Sequence, residues 1–182
     1  MGSPVRYAQH GRPDANLSAW LSFYRLATPG VEQADNCTLR LDLDNEPQPD
    51  LLLRLPERVG GRSRVAADGH LEGAPELVVE VAASSVSYDL HEKLAVYRRS
   101  GVLEYLVHRV DDGEVDWFVL TRGAYVRTSA DAGGLLRSQA FPGLWLDVGA
   151  LLRGDLEALH RVVARRLADP AHAAFLARLR AS

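Results

Sequence analysis

Three ionisable residues stand out by type and setting: Asp50, Glu80 and Lys93. Glu80 interrupts the run Glu76-Leu77-Val78-Val79-Glu80-Val81-Ala82, whose valines predict a buried strand. Side chains alternate along a strand, so Glu76, Val78, Glu80 and Ala82 share one face, with Leu77, Val79 and Val81 on the other. A carboxylate in such a strand is costly to bury unless another group compensates its charge. A divalent cation would do so, and Asp50, at the start of the short apolar run 50–55, is the natural second ligand. Two carboxylates from neighbouring strands, completed by a backbone carbonyl and waters, suit Mg²⁺, with Mn²⁺ as its substitute.

Lys93 is singular in a different way. The chain has 21 basic residues (Lys and Arg), and position 93 holds the one lysine among them. It borders the apolar stripe Leu90, Leu94 and Tyr97 of a helix expected near 87–100. From there its stem packs on the sheet while the ammonium reaches the carboxylates. An ammonium so placed orients an attacking water and offsets charge growing on a phosphate. Arginine suits the task less, being bulkier and never deprotonated. Each residue also has a structural explanation. Asp50 begins a strand with a solvated carboxylate, and Lys93 pairs with Asp89 across one helical turn for roughly 0.2–0.5 kcal/mol. Glu76 reads as a solvent-side strand residue, and Ser84 and Ser85 as caps of the following helix, with Ser85 a weaker phosphate contact.

The elements that must position these residues follow from periodicity. A first helix is expected over 17–27, where Leu17, Trp20, Leu21 and Tyr24 recur at helical spacing before Thr28-Pro29-Gly30. Residues 38–44 alternate strictly and predict a half-buried strand. Residues 50–55 and 76–82 supply two more strands, separated by a Gly- and Arg-rich excursion over 56–69. After the helix, which Gly101 stops, strands over 104–110 and 115–120 flank Asp111-Asp112-Gly113, a hairpin signal. Residues 125–128 add another strand. Asp147 starts a helical tail, with an amphipathic stretch over 156–167 and a last helix after Pro170. The order is that of an α/β fold with one mixed sheet. At 182 residues and without a linker, the chain reads as a single domain, with 151–182 a helical C-terminal extension.

Composition removes several alternatives. No apolar run nears the roughly 18 residues that cross a bilayer, and no export signal opens the chain, so the cytoplasm is the expected location. The single cysteine, Cys37, excludes internal disulfides and cysteine-based zinc clusters. His91-Glu92 begins like a zinc-protease helix, but position 95 is alanine. Gly60-Gly61-Arg62-Ser63 lacks the lysine of a P-loop. A net charge of −3 argues against a protein that coats nucleic acid, though not against an enzyme whose own carboxylates bind a metal. Trp117, Phe118 and Trp145 read as core rather than base-stacking platforms.

The ordered string Pro49-Asp50, then 75–81, then Ser84-Ser85, Asp89-Leu90-x-x-Lys93-x-x-x-Tyr97 and Gly101-Val102-x-Glu104-Tyr105 resembles the Uma-type family of restriction endonucleases. That family belongs to the PD-(D/E)XK nuclease superfamily. The resemblance runs from about residue 17 to 150. It implies a restriction-endonuclease-like core, a central mixed β-sheet flanked by helices, with a β-hairpin extension and C-terminal helices. It makes Asp50 the aspartate of the PD pair and Glu80 the glutamate of the ExK triplet, whose lysine position is filled by Ala82. The family carries its lysine on the next helix, where Lys93 stands. It implies a Mg²⁺-dependent endonuclease acting on DNA, with RNA left open, and a homodimer that cuts both strands. An acid near the first helix is also implied, and Glu32 is the one nearby. A nuclease-like fold kept as an inactive nucleic-acid-binding or assembly module is the alternative, motivated by the net acidity and by Ala82.

Overall fold

The computed structural model describes residues 6–42, 45–83 and 88–181. The expected caps Ser84 and Ser85, the end of the strand expected at Leu43 and Asp44, and the side chains of Asp89 and Leu90 lie outside what is described.

A six-stranded mixed sheet organises the chain. Its strands are β1 (Glu32–Asp35), β3 (Leu51–Arg54), β6 (Leu77–Ala82), β7 (Glu104–Arg109), β8 (Glu114–Thr121) and β9 (Ala124–Arg127), in the order β1-β3-β6-β7-β8-β9. The pair β6–β7 is parallel and its neighbours antiparallel. Parallel neighbours need a long crossover, and helix α2 (Tyr88–Ser100) provides it, ending at Gly101 with φ +83°. The hairpin β7–β8 turns where Asp111-Asp112-Gly113 predicts.

Alternation sorts the β6 side chains as expected. Leu77, Val79 and Val81 enter one core with Leu51, Leu53, Leu106 and Trp117. Val78 enters the other, with Leu52, Tyr105, Val107 and Tyr97 of α2. Helix α1 (Arg12–Ala27) covers the first face through Leu17, Trp20, Leu21 and Tyr24. It begins at Arg12 rather than Leu17, after a π-turn at Tyr7–Gly11. Pro13 sits in its first turn, where a missing N–H costs nothing. Helices α3 (Val148–Arg153), α4 (Leu156–Arg166) and α5 (Pro170–Arg180) follow, and Leu159, Val163, Phe175 and Leu179 join the α1 core. Asp147 caps α3 by accepting from the Ala150 N–H at 2.8 Å. No helix is long and apolar enough to cross a membrane among the described residues.

The structure departs from the expected elements in three places. Of the strand expected over 38–44, Leu39–Arg40 forms β2, parallel to β5 (Leu71–Glu72) in a small sheet completed by β4 (Arg64–Val65). The chain folds back early because Leu39 N–H donates to the Pro47 carbonyl and Leu41 N–H to that of Asn45. Strand β1 carries no apolar alternation and pairs at the sheet edge. A further ribbon forms from β10 (Leu135–Arg137) and β11 (Trp145–Asp147).

Glu76 is not a solvent-side residue. It is buried and accepts from the backbone N–H groups of Leu55 (2.7 Å) and Arg62 (3.3 Å), tying the 56–62 segment to the sheet. Glu104 does the same on the other face. It accepts from Ser138 Oγ (2.8 Å), Trp117 Nε1 (3.2 Å) and the backbone N–H groups of Gln139 (2.5 Å) and Ala140 (2.9 Å). Removing this acceptor strands several buried donors, each costing ~1–3 kcal/mol. Glu104→Ala is therefore expected to lower unfolding free energy by roughly 3 kcal/mol or more, measured by urea denaturation. A loss below about 1 kcal/mol would mean that water replaces the carboxylate without penalty.

Candidate active site

In the antiparallel register of β3 and β6, Leu51 faces Val79, so Asp50 comes opposite Glu80 one residue further along. Directly opposite residues share a face with close Cβ atoms. Asp50 and Glu80 therefore meet on the α2 side, at the end of β6 where it runs into the crossover. Asp50 Oδ2 is fixed by the Val81 N–H at 2.7 Å. Glu80 is held at both oxygens from α2: Tyr97 donates its hydroxyl to Oε1 and Lys93 its ammonium to Oε2, each at 2.9 Å. Lys93 and Tyr97 stand one turn apart and so reach the same carboxylate. The sequence-expected trio is thus brought together, with Tyr97, seen in the sequence as core, as its fourth member. Ala82 packs in the apolar cluster on this face, and the ammonium at Glu80 comes from α2.

Two further residues enter from the N-terminal segment. His10 Nε2 lies 3.4 Å from Asp50 Oδ1. Asp14, in the first turn of α1, has a buried Oδ1 with no hydrogen-bond partner among the described residues. Burial raises the Asp14 pKa first, the nearby Asp50 and Asp35 raise it further, and His10 opposes them. Glu80 is also pushed up, by burial first, with Lys93 opposing and Asp50 adding to the rise. The site thus gathers Asp14, Asp50 and Glu80 against one ammonium and a histidine. Glu80 is 4% exposed and Asp50 9%, so solvent does little to relieve the excess negative charge.

That charge excess, with an orphaned carboxylate oxygen at its edge, fits a divalent cation. Among the described residues no group of three or more His, Cys, Asp or Glu side chains is placed to hold a metal ion, so the two carboxylates Asp50 and Glu80 are the pair to consider. A pair of carboxylates suits a cation such as Mg²⁺, which keeps several of its waters.

Glu32 is not brought to this cluster. It faces Arg54 at the opposite end of the β1–β3 pairing and forms an ion pair with its Nη1 at 2.5 Å. Asp14 and His10 escaped sequence reasoning because residues 7–16 lack an apolar period. Pro13 was the available signal, since proline favours the first helical turn.

A sequence profile described as "Uma2: Putative restriction endonuclease" matches residues 1–149. The chain belongs to the Uma2 family. Its fold is shared by a crystal structure titled as a putative nuclease belonging to DUF820 from Anabaena variabilis, with a TM-score of 0.60 at 12% identity. The likeness covers 84% of this Uma2 chain and 85% of that one. No curated protein matches it.

Replacing an unpaired, partly buried carboxylate by its neutral isostere relieves like-charge repulsion. Asp14→Asn is expected to raise the Tm of the metal-free protein by roughly 1–3 °C, a small gain because solvent screens a half-buried group. Differential scanning fluorimetry in EDTA measures it, and a lowered Tm would mean that Asp14 is compensated within the folded protein.

Proposed function

We propose that this chain is a Mg²⁺-dependent endonuclease hydrolysing phosphodiester bonds in DNA, Mn²⁺ serving in place of Mg²⁺. Asp50 and Glu80 would hold the metal, with Asp14 as the additional acid near the first helix. The observation carrying this reading is the contact of the chain's one lysine with a buried strand glutamate directly across from Asp50. Nothing in the packing of β6 needs a charge at position 80, and α2 supplies two groups dedicated to it. Membership in a family described as restriction endonucleases points to the same chemistry.

When bound, the metal supplies Lewis-acid activation of water and neutralises the scissile phosphate. The protein's own residues divide the remaining tasks. The Val81 N–H and the Tyr97 hydroxyl fix one oxygen each of Asp50 and Glu80, leaving little freedom for either carboxylate to swing. Lys93 lies at the mouth of the site, where its ammonium orients a nucleophilic water and offsets charge developing on the phosphoryl oxygens. Its strength as a stabiliser comes from the buried carboxylate that holds it in place. The proposal includes one domain spanning 1–182, acting in the cytoplasm as a homodimer with one site for each DNA strand.

Nicking of supercoiled plasmid tests this directly. Cleavage is expected with Mg²⁺ or Mn²⁺, lost in EDTA and abolished by Asp50→Ala and by Glu80→Ala. Lys93→Ala is expected to lower the rate by ~10²–10³. Full-rate cleavage by Lys93→Ala would remove the lysine from the mechanism. DNA binding without cleavage under either metal would favour the inactive binding module.

A further inference from the structure

A cavity of about 230 Å³ opens on the α1 side of the sheet. Its polar lining is Arg12 and Asn16 of α1, Arg153 at the end of α3, and His108 of β7. Among the described residues no carboxylate lines it. Elsewhere an arginine can be heavily matched: Arg109 is ringed by Asp112, Glu114 and Asp116. Neither Arg12 nor Arg153 forms an ion pair with any described residue. His108 is 5% exposed, and its Nδ1 is buried without a hydrogen-bond partner among the described residues. A buried donor or acceptor left unmatched is costly, and its presence in a cavity wall calls for a ligand or water.

The cavity adjoins the carboxylate site through two short connections. Arg12 precedes Asp14 by two residues on the same helical turn. His108 pairs in register with Val81, whose N–H holds Asp50. Glu80 lies on the α2 face and the cavity on the α1 face, at the same end of β6 and β7, and the first turn of α1 gives Asp14 to the one and Arg12 to the other.

We propose that this cavity is a phosphate subsite, in which Arg12, Arg153, Asn16 and His108 take a backbone phosphate of the nucleic acid away from the scissile bond. The assignment rests on the nuclease reading for its source of phosphate. Guanidinium groups match phosphate oxygens with paired N–H donors, and an amide adds another. Burial lowers the His108 pKa and so favours the neutral ring, which still carries one N–H donor. The subsite fixes strand register without reading sequence, as phosphate contacts do. It also gives a chain of net charge −3 a local positive site for a polyanion, with Arg12 and Arg153 lining one cavity.

The test uses the full chain and the double variant Arg12→Gln/Arg153→Gln. Both side chains are exposed, so the fold should tolerate the change. In the first arm, inorganic phosphate is compared with chloride at equal ionic strength by thermal shift. Phosphate should raise the Tm of the wild type and not of the variant. In the second arm, binding of a 20-base-pair duplex is followed by fluorescence anisotropy in EDTA against salt. The variant should bind about tenfold more weakly, with a salt slope smaller by about one, the loss of one neutralised phosphate. Duplexes with 5′-phosphate and 5′-hydroxyl ends separate the two sources of phosphate. A backbone contact loses equally with both, whereas a terminal phosphate loses only with the first, which would overturn the backbone assignment. Equal phosphate stabilisation of wild type and variant, or none in either, would overturn the subsite even if DNA still binds and is cut. Phosphate stabilisation confined to wild type, with unchanged DNA affinity, would overturn its nucleic-acid role alone. A wild type that takes phosphate but neither binds nor cuts DNA would instead defeat the nuclease reading.

Discussion

The burial of Glu80 within a valine-rich strand is the constraint on which the site depends. A carboxylate there loses its hydration, and among the described residues the fold returns one full charge to it, the Lys93 ammonium, with a neutral hydroxyl from Tyr97. Both partners come from α2, so the crossover helix that lets β6 and β7 run parallel also completes the site. Asp50 follows from the same geometry. It ends up across from Glu80 because β3 pairs antiparallel with β6, and Val81 fixes it through a backbone N–H. Topology, charge compensation and placement of the lysine are three consequences of one sheet arrangement.

Other buried acids show what a purely structural carboxylate looks like here. Glu104 and Glu76 are surrounded by N–H and O–H donors, mostly backbone, and each ties a loop to the sheet. Their charge is spread over fixed dipoles that do not leave. Asp14, Asp50 and Glu80 are different, since they crowd one another and one oxygen of Asp14 has no partner among the described residues. That contrast within a single protein separates a loop anchor from a site suited to a cation. The arginine-lined cavity on the other face completes a division of charge that net composition conceals.

Much of this was legible in the sequence. The alternation over 76–82 placed Glu80 and Val78 on one face and Leu77, Val79 and Val81 on the other, as the two cores require. The uniqueness of Lys93 and its position beside Leu94 and Tyr97 pointed to the helix-borne cation. Glu76 misled because period two says which face a residue takes and not whether a loop will cover that face. Glu32 misled because nearness to a helix in sequence said nothing about register, and β1 carries it away from Asp50. Asp14 was hidden by the polar start of α1, where helical structure comes from tertiary packing and a proline-compatible first turn rather than from an apolar stripe. Strands β10 and β11 are too short for periodicity to register.

The central claim is that the buried carboxylates across β3 and β6 form a cation site. Calorimetric titration of Mn²⁺ into the wild type, Asp50→Asn and Glu80→Gln proteins tests it most directly, with circular dichroism confirming that each is folded. The account predicts saturable binding to the wild type that weakens at least about tenfold in both variants, the loss of one charged ligand costing ~1.4 kcal/mol or more. Equal affinity in all three proteins, or no binding to the wild type, would contradict it.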